Sequence, residues 1–219
     1  MSKEEIFHRM ITIAPSMKEK IFYSAVLLFS SKGYQRVGIR ELCHSVNIKE
    51  SSFYNHYASK ESLLQDIFSR FTQGSEKTLE TNGEVEAIIE SGDVEKYLEW
   101  NIMKFRSSTG DPLAYTIQQI LMMESFTNPE AHEITRRAMY LARRGLLEDG
   151  LKRMQEKGFI KEECDIGQVV SEYYLGLKGL TDEYLFAELW KEDLEEIYRR
   201  IGAHVRFFAN ILKKQPGNG

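Results

Sequence analysis

The sequence predicts an all-α protein, and three observations lead to that fold class. Apolar residues recur at steps of three and four, which is the spacing of one helical face, as in the stripe Leu64, Ile67, Phe68 and Phe71. Strand-like alternation of apolar and polar residues is rare. The four prolines stand at expected helix starts or in the tail, at positions 15, 112, 129 and 216.

Breaks between the apolar stripes set the expected helix boundaries. Gly33 follows the first stripe and is expected at a helix C-terminus, where glycine readily takes a left-handed conformation. Asn128 followed by Pro129 is typical of a helix start, with Asn as the cap and Pro at the first helical position. We therefore predict helices over residues 16–32, 39–46, 50–56, 60–80, 84–91, 93–106, 112–126, 129–156, 165–186 and 192–213.

Composition and charge favour one or two compact domains with two roles in one chain. The 219 residues are 42% hydrophobic and carry a net charge of −4, and these totals alone do not favour nucleic-acid binding. Residues 1–70, however, hold ten Lys and Arg against seven Asp and Glu, whereas the remainder carries a charge of −7. The front of the chain is therefore mildly basic and the back is acidic.

Cysteine usage and hydropathy indicate a cytoplasmic protein with no membrane contact. Cys43 and Cys164 belong to no Cys-x-x-Cys pair and stand in apolar helical surroundings, so we expect core thiols in a reducing cytosol. The N-terminal stretch has acidic residues and no long apolar run, unlike a signal peptide. Elsewhere no apolar run approaches the roughly 20 residues of a transmembrane helix.

Residues 39–57 predict two short helices joined by a tight turn. Asn47 stands at the turn, where a left-handed backbone is usual and Asn tolerates it better than most residues. Phe53 and Tyr57, four residues apart, supply the inward face of the second helix. The inward face of the first is expected to hold Ile39, Leu42, Cys43 and Val46, and Ile48 closes the core. This pattern is a helix-turn-helix, in which one helix positions another that presents polar side chains.

The outward side of the second helix carries polar side chains that suit DNA. Ser, Tyr, Asn and His can hydrogen-bond phosphate oxygens and base edges in a major groove. Lys60 begins the next helix, where it can reach a phosphate. An ordinary helical hairpin in an all-α core is the alternative interpretation. The outward residues are Glu50, Ser51, Ser52, Tyr54, Asn55 and His56.

The run from Lys18 to Ile67 resembles the DNA-binding domain of TetR-family transcriptional regulators. The segments that carry the resemblance are AVLLFSSKGY, IREL and SSFYNHYASKESLL. The rest of the chain agrees with the family only in the number, length and order of its helices.

The resemblance implies an Ω-shaped homodimer that binds a palindromic double-stranded DNA operator. Each subunit would have an N-terminal three-helix DNA-binding head and a larger helical ligand-binding and dimerisation domain. Residues 1–62 would form the helix-turn-helix domain, with the first residues up to about 15 as an extension. Residues 63–213 would form the second domain, and residues 214–219 a flexible tail. No metal site and no cofactor are expected, because the histidines His8, His44, His132 and His204 stand far apart without metal-like spacing.

Carried over position by position, the resemblance also implies DNA contacts. The recognition helix would span about 50–56. Base contacts would come from Lys49, Glu50, Ser51, Ser52 and Asn55. Phosphate contacts would come from Tyr54, His56 and Lys60, with Arg40 as a further candidate.

Three positions depart from the family's pattern. Gly38 replaces the Ser or Thr usual at the start of the second helix of the head, so a cap and its phosphate contact are lost. Glu50 and Ser51 stand where Lys and Gly are frequent. Glu50 would repel phosphates unless it accepts a hydrogen bond from a cytosine amino group. We therefore expect an idiosyncratic operator.

The back domain is rich in aromatic and Met side chains, which suit a pliable apolar pocket as well as ordinary packing. Helices at about 165–186 and 192–213 are expected to meet their symmetry mates in a four-helix dimer interface, the alternative being an intrachain core alone. The residues favoured as pocket lining are Trp100, Phe105, Tyr115, Met123, Phe126 and Tyr173.

The sequence thus predicts a DNA-binding transcriptional regulator, a repressor, that a small and largely apolar effector releases from its operator. The alternative is a DNA-binding regulator controlled by a protein partner, or one without a small-molecule ligand. An enzyme is not expected, because the sequence shows no glycine-rich phosphate loop, nucleophile elbow, His-Glu-x-x-His or cysteine cluster.

Overall fold

The computed structural model describes residues 2–79, 83–190 and 192–214, without the side chains of residues 76–79, 104–110, 139, 185–186 and 188–189. These ranges are helical and contain no β-strand, which confirms the all-α fold class; an isolated bridge pairs Ile160 with Lys213. The helices are α1 (Lys3–Ile13), α2 (Met17–Lys32), α3 (Ile39–Ser45), α4 (Glu50–Phe53), α5 (Lys60–Leu79), α6 (Gly83–Ser91), α7 (Val94–Gly110), α8 (Pro112–Glu124), α9 (Pro129–Ile134), α10 (Ala142–Glu156), α11 (Ile166–Trp190) and α12 (Glu195–Leu212).

The chain divides into two compact units. The first comprises Met1–Thr78 and Arg106–Tyr140, and the second comprises Leu79–Phe105 and Leu141–Gly219. The functional domains predicted from the sequence divide the chain at residues 62 and 63 instead, and they stay a prediction. Of the predicted tail, residues 215–219 lie outside the described residues.

The first unit is built around α2, which packs against α1, α3 and α8. The Ser16 hydroxyl accepts a hydrogen bond from the Glu19 amide (3.2 Å) and caps the start of α2. Gly33 follows the last turn of α2 with φ +82°, which confirms its predicted role. Between these ends Phe22 and Phe29 are fully buried. The capped α2 therefore supplies the surface on which the head assembles.

The second unit packs α11 against α12 at close range. A Cβ atom added at Gly176 would lie 2.5 Å from His204 Cε1, so a larger residue would push the two helices apart. The ring of Tyr173 stacks on that of His204, with 4.9 Å between centroids. The buried Tyr173 hydroxyl donates a hydrogen bond to the Leu98 carbonyl (3.4 Å), which ties α11 to α7.

The N-terminal residues, predicted only as an extension, form helix α1. The Ser2 hydroxyl accepts from the Glu5 amide (3.2 Å), and the Glu5 carboxylate accepts from the Ser2 amide (2.8 Å). This reciprocal capping box is encoded as Ser-x-x-Glu, a signal that was readable in the sequence. Phe7 is fully buried in the hydrophobic core of the first unit, so α1 is part of that core.

Two predicted helices differ from the structure. The prediction of one continuous helix over 129–156 is wrong, because a π-helical segment, Thr135–Leu141, separates α9 from α10. A π-helix bonds each residue to the fifth along the chain, and the apolar spacing does not reveal such a change. The predicted 50–56 helix is also too long, since α4 ends at Phe53 and continues as a turn to His56.

No helix in the described ranges is long and apolar enough to cross a membrane. The same ranges hold no cluster of His, Cys, Asp or Glu suited to a metal ion. Cys43 and Cys164 are both free thiols. Burial, together with the charge of Glu50, raises the pKa of Cys43, which keeps it a neutral core thiol as the sequence indicated.

Replacing Phe7 with Ala should lower the free energy of unfolding by about 3–5 kcal/mol, because it removes a fully buried ring and leaves a cavity. Urea denaturation measures the change. Ile13→Ala is the control on the same helix; its side chain is 71% exposed, and the loss should stay within about 0.5 kcal/mol. Equal urea midpoints for the two variants would show that α1 is not part of the core.

Candidate nucleic-acid interface

Helices α3 and α4 pack through the apolar residues that the sequence indicated. Leu42 and Cys43 of α3 are buried, and Ile39 and Val46 pack partly buried against the same core. From the α4 side, Phe53 is fully buried and Tyr57 is 5% exposed. The inward faces of the predicted helix-turn-helix are therefore confirmed.

The turn between α3 and α4 depends on a left-handed residue. Asn47 has φ +55°, and among the described non-glycine residues no other has a positive φ. The Ile48 amide then donates to the Cys43 carbonyl (2.9 Å) and closes the turn. At the start of α3, Gly38 occupies the capping position without a side-chain hydrogen bond, as expected from the sequence.

The outward side of α4 presents most of the side chains predicted to bind DNA. Lys49, Ser51, Tyr54 and Asn55 are exposed, whereas Ser52 and His56 are half-buried. Tyr54 is 53% exposed, and its ring lies edge-on to Phe53 with 5.5 Å between centroids. The Tyr54 ring therefore contacts the buried Phe53 and still leaves about half of its surface in solvent.

Two further candidates, Arg40 and Glu50, are held by each other. The Arg40 Nε donates to Glu50 Oε1 at 2.8 Å, which joins the second residue of α3 to the first residue of α4. Both side chains are exposed, at 89% and 46%. From the sequence alone, the two residues were expected to contact DNA separately. Their pairing spans ten residues and a turn, so it depends on the tertiary fold.

The Lys60 side chain contacts the backbone of the segment that joins α2 to α3. Its Nζ donates to the carbonyls of Tyr34 and Val37, each at 3.0 Å, and lies 4.1 Å from the centroid of the Tyr34 ring. These contacts tie the start of α5 to the segment between α2 and α3. Two of the three ammonium donors are used there, and the phosphate contact expected of Lys60 stays a prediction.

A polar network that was not predicted from the sequence holds Tyr57, which follows α4, against α5 and α2. The Tyr57 hydroxyl donates to Asp66 Oδ2 (2.8 Å), and the Arg70 Nε donates to Asp66 Oδ1 (3.3 Å). The two terminal nitrogens of Arg70 donate to the Glu19 carboxylate at 3.0 and 2.6 Å. The same guanidinium lies 3.9 Å from the centroid of the Phe22 ring. The Asp66–Arg70 spacing of four was a visible signal, but the link to Glu19 was not.

The network shifts the acidities of its members in directions that preserve it. The hydrogen bonds from Arg70 hold the pKa of Glu19 below its usual value of 4.5. Burial, followed by the hydrogen bond to Asp66, raises the pKa of the Tyr57 hydroxyl. At neutral pH the Glu19 carboxylate is therefore charged and the Tyr57 phenol keeps its proton.

The residues expected to line a ligand pocket fall in both units. Trp100 and Tyr173 are buried in the core of the second unit. In the first unit, Met123 is 43% exposed and Phe126 is 87% exposed, while Tyr115 is half-buried. Phe105 lies on α7, but its side chain is outside the described residues. The ligand-binding role of this set stays a prediction.

Comparison with known sequences identifies the head. Residues 21–67 match the family described as bacterial regulatory proteins, tetR family. The protein named Probable HTH-type transcriptional regulator YttP, from Bacillus subtilis (strain 168), is 36% identical over 66 residues, which are 30% of this chain and 32% of that protein. The biofilm operon icaADBC negative transcriptional regulator IcaR of Staphylococcus aureus is 45% identical over 49 residues, 22% of this chain and 26% of IcaR. The chain therefore matches about a third or less of the length of these relatives.

Comparison with solved structures extends to nearly the whole chain, but at the level of fold. A candidate transcriptional regulator from Saccharomonospora viridis, in complex with choline, superposes with a TM-score of 0.63 at 14% identity, covering 90% of this chain and 98% of that one. The ketosteroid transcriptional regulator KstR2 of Mycobacterium tuberculosis gives 0.56 at 15% identity, covering 92% and 97%.

The fold and the α3–α4 geometry define a helix-turn-helix protein. Residues 21–67 are similar in sequence to the TetR family of bacterial regulatory proteins, and nearly the whole chain has the fold of solved transcriptional regulators.

The Glu19–Arg70 pair should make the stability of the protein depend on acid. Because the folded protein holds the pKa of Glu19 below 4.5, the stabilisation is present above that pH and is lost as the pH falls through the lower, folded value. The difference in unfolding free energy between the wild type and Glu19→Gln should therefore shrink as the pH falls from about 6 to 3.

Denaturation at a series of pH values tests this expectation. Glu133→Gln is the control, since Glu133 pairs with Arg136 in an exposed position where solvent screens the interaction. A constant difference between Glu19→Gln and the wild type across the series would contradict the prediction.

Proposed function

We propose that the chain is a DNA-binding transcriptional regulator, a repressor, that binds a palindromic operator as a homodimer and is released by a small, largely apolar effector. The observation that carries the proposal is the exposed set of Lys49, Ser51, Tyr54 and Asn55, on α4 and at its two ends, next to the buried Phe53 and Tyr57. The N-terminal residues of such a helix contact base edges in the major groove, and neighbouring side chains contact phosphates.

Repression is supported by the name of one relative. IcaR is named a negative transcriptional regulator, and it is 45% identical to this chain over 49 residues. A repressor needs affinity for its operator in the absence of effector. In a symmetric dimer, two such heads would bind half-sites about 34–36 Å apart, one turn of the duplex.

Dimerisation through α11 and α12 is supported by the apolar side chains that these helices leave in solvent. Leu175 of α11 is 67% exposed and Phe207 of α12 is 61% exposed. Large apolar side chains on neighbouring helices favour burial against a partner. A second copy, related by a two-fold axis, would cover the same patch on both subunits.

A small organic effector is supported by two solved structures of similar fold. The Saccharomonospora viridis structure contains choline, and KstR2 is named a ketosteroid regulator. Trp100 and Tyr173 supply the second unit with buried aromatic surface suited to such a molecule. An effector acts on DNA binding only if its affinity differs between the DNA-bound and released states.

Replacing Tyr54 with Phe should weaken binding to every selected duplex about tenfold, because it removes a hydrogen bond to a charged phosphate, and phosphate contacts carry no sequence information. The wild-type chain is first used to select duplexes from a random library. Fluorescence anisotropy then gives the affinities. Tyr198→Phe, which removes a hydroxyl from a 40% exposed tyrosine on α12, is the matched control and should bind as the wild type does. Failure of the wild type to retain any duplex at low salt would refute DNA binding.

Replacing Phe207 with Glu should convert the dimer to a monomer, because it introduces a charge into the proposed apolar interface. Light scattering coupled to size-exclusion chromatography measures the mass at micromolar concentration. Ile13→Glu is the control: it adds the same charge at a side chain that is 71% exposed on α1, and the protein should remain dimeric. A wild type that elutes as a monomer would contradict this part of the proposal.

A further inference from the structure

The Arg40–Glu50 ion pair lies at the start of both helices of the helix-turn-helix. Glu50 is the first residue of α4, the position from which such helices contact base edges. Its Oε1 accepts from the Arg40 Nε at 2.8 Å. The pair therefore places the Arg40 side chain, which is 89% exposed, beside the first residue of α4. This end of α4 is the one that would enter the major groove.

Stability does not account for this pair. Exposed ion pairs contribute little to folding, since solvent screens the charges and ordering the two side chains costs entropy. The neighbouring carboxylate, Glu41, is paired with Lys32 and does not compete for the guanidinium. The pair instead restrains Arg40, because Glu50 Oε1 holds its Nε while the side chain stays 89% exposed.

The donors left on Arg40 match a guanine. An arginine has five N–H groups, and the Nε–H is used by Glu50. Within the described residues no hydrogen bond involves the four N–H groups on Nη1 and Nη2 of Arg40. Two parallel donors of this kind fit the O6 and N7 acceptors of guanine in the major groove.

The net charge of the Arg40–Glu50 pair favours a base over a phosphate as the group that Arg40 contacts. Arg40 alone would attract a phosphate, but the Glu50 carboxylate within hydrogen-bond distance makes the pair neutral overall and cancels most of that attraction. The acceptors of guanine are uncharged, so hydrogen bonds to them depend less on the net charge of the pair. A carboxylate at this position therefore disfavours the phosphate contact that the sequence suggested for Arg40.

We infer that Arg40 and Glu50 form one sequence-reading unit, in which Arg40 donates to O6 and N7 of a guanine in each operator half-site and Glu50 is the residue that positions it. The inference rests on the proposed function, because it specifies a base pair that the same helix-turn-helix would recognise. Arg40 would then determine which base pair is preferred, and Glu50 would act by positioning Arg40.

The test uses the full chain and the duplexes that the wild type selects from a random library. Each G·C pair of the selected site is replaced in turn, and affinities are measured by fluorescence anisotropy. The wild type should discriminate against replacement of one G·C pair per half-site by about ten- to a hundredfold. Arg40→Ala should lose that discrimination and keep it elsewhere. Replacing the guanine by 7-deazaguanine, which lacks N7, should weaken the wild type and leave Arg40→Ala unchanged.

Glu50→Gln tests the positioning role. It should lower discrimination at the same base pair as Arg40→Ala, and the double variant should lose no more than Arg40→Ala alone, because both act through one contact. Melting temperatures should stay near that of the wild type, which separates positioning from a structural role.

Three results would overturn the inference in distinguishable ways. If Arg40→Ala weakens all duplexes equally and lowers the slope of log affinity against log salt by about one, Arg40 binds a phosphate and the proposed function stands. If Glu50→Gln alters a different base pair from Arg40→Ala, Glu50 reads a base by itself. If the wild type selects no duplex at all, the proposed function fails as well.

Discussion

A helix of four residues is not stable by itself in water, so the position of α4 depends on the burial of Phe53 and Tyr57. Both rings lie in the hydrophobic core of the first unit, together with residues of α2, α3 and α5. Because the two rings are fixed, the side chains between them, Tyr54 and Asn55, are fixed on the opposite side. Core packing therefore creates the exposed polar surface, and helix propensity contributes little.

The polar network around Tyr57 and Arg70 restricts how these rings and helices can pack. Tyr57 buries its ring and still has a partner for its hydroxyl, since Asp66 accepts from it. Asp66 shares Arg70 with Glu19, so the start of α2 and the middle of α5 are joined through two carboxylates and one guanidinium. Loss of one member would leave a partly buried charge without its partner, which costs more than the pair contributes. The head is thus held by apolar and charged contacts that depend on each other.

The electrostatics of the head are compatible with the proposed DNA interface, although the chain has a net charge of −4. Two carboxylates of the helix-turn-helix, Glu41 and Glu50, are paired with Lys32 and Arg40. Lys49 remains exposed at the start of α4. Pairing removes local repulsion of phosphates without removing hydrogen-bonding groups. The proposed interface would accordingly rely on hydrogen-bond geometry more than on net charge.

The sequence by itself determined the all-α class, the helix-turn-helix and its inward faces, and the left-handed turn at Asn47. These features depend on local periodicity and on the conformational preferences of single residues, and both can be read along the chain. It also contained the Ser2–Glu5 capping box of α1, which is encoded as Ser-x-x-Glu. The Arg40–Glu50 pair, the return of Lys60 to Tyr34 and Val37, and the Glu19–Arg70 contact were decided by tertiary structure alone. Their partners are separated by 10 to 51 residues, and which charged side chains meet over such distances depends on how the helices pack.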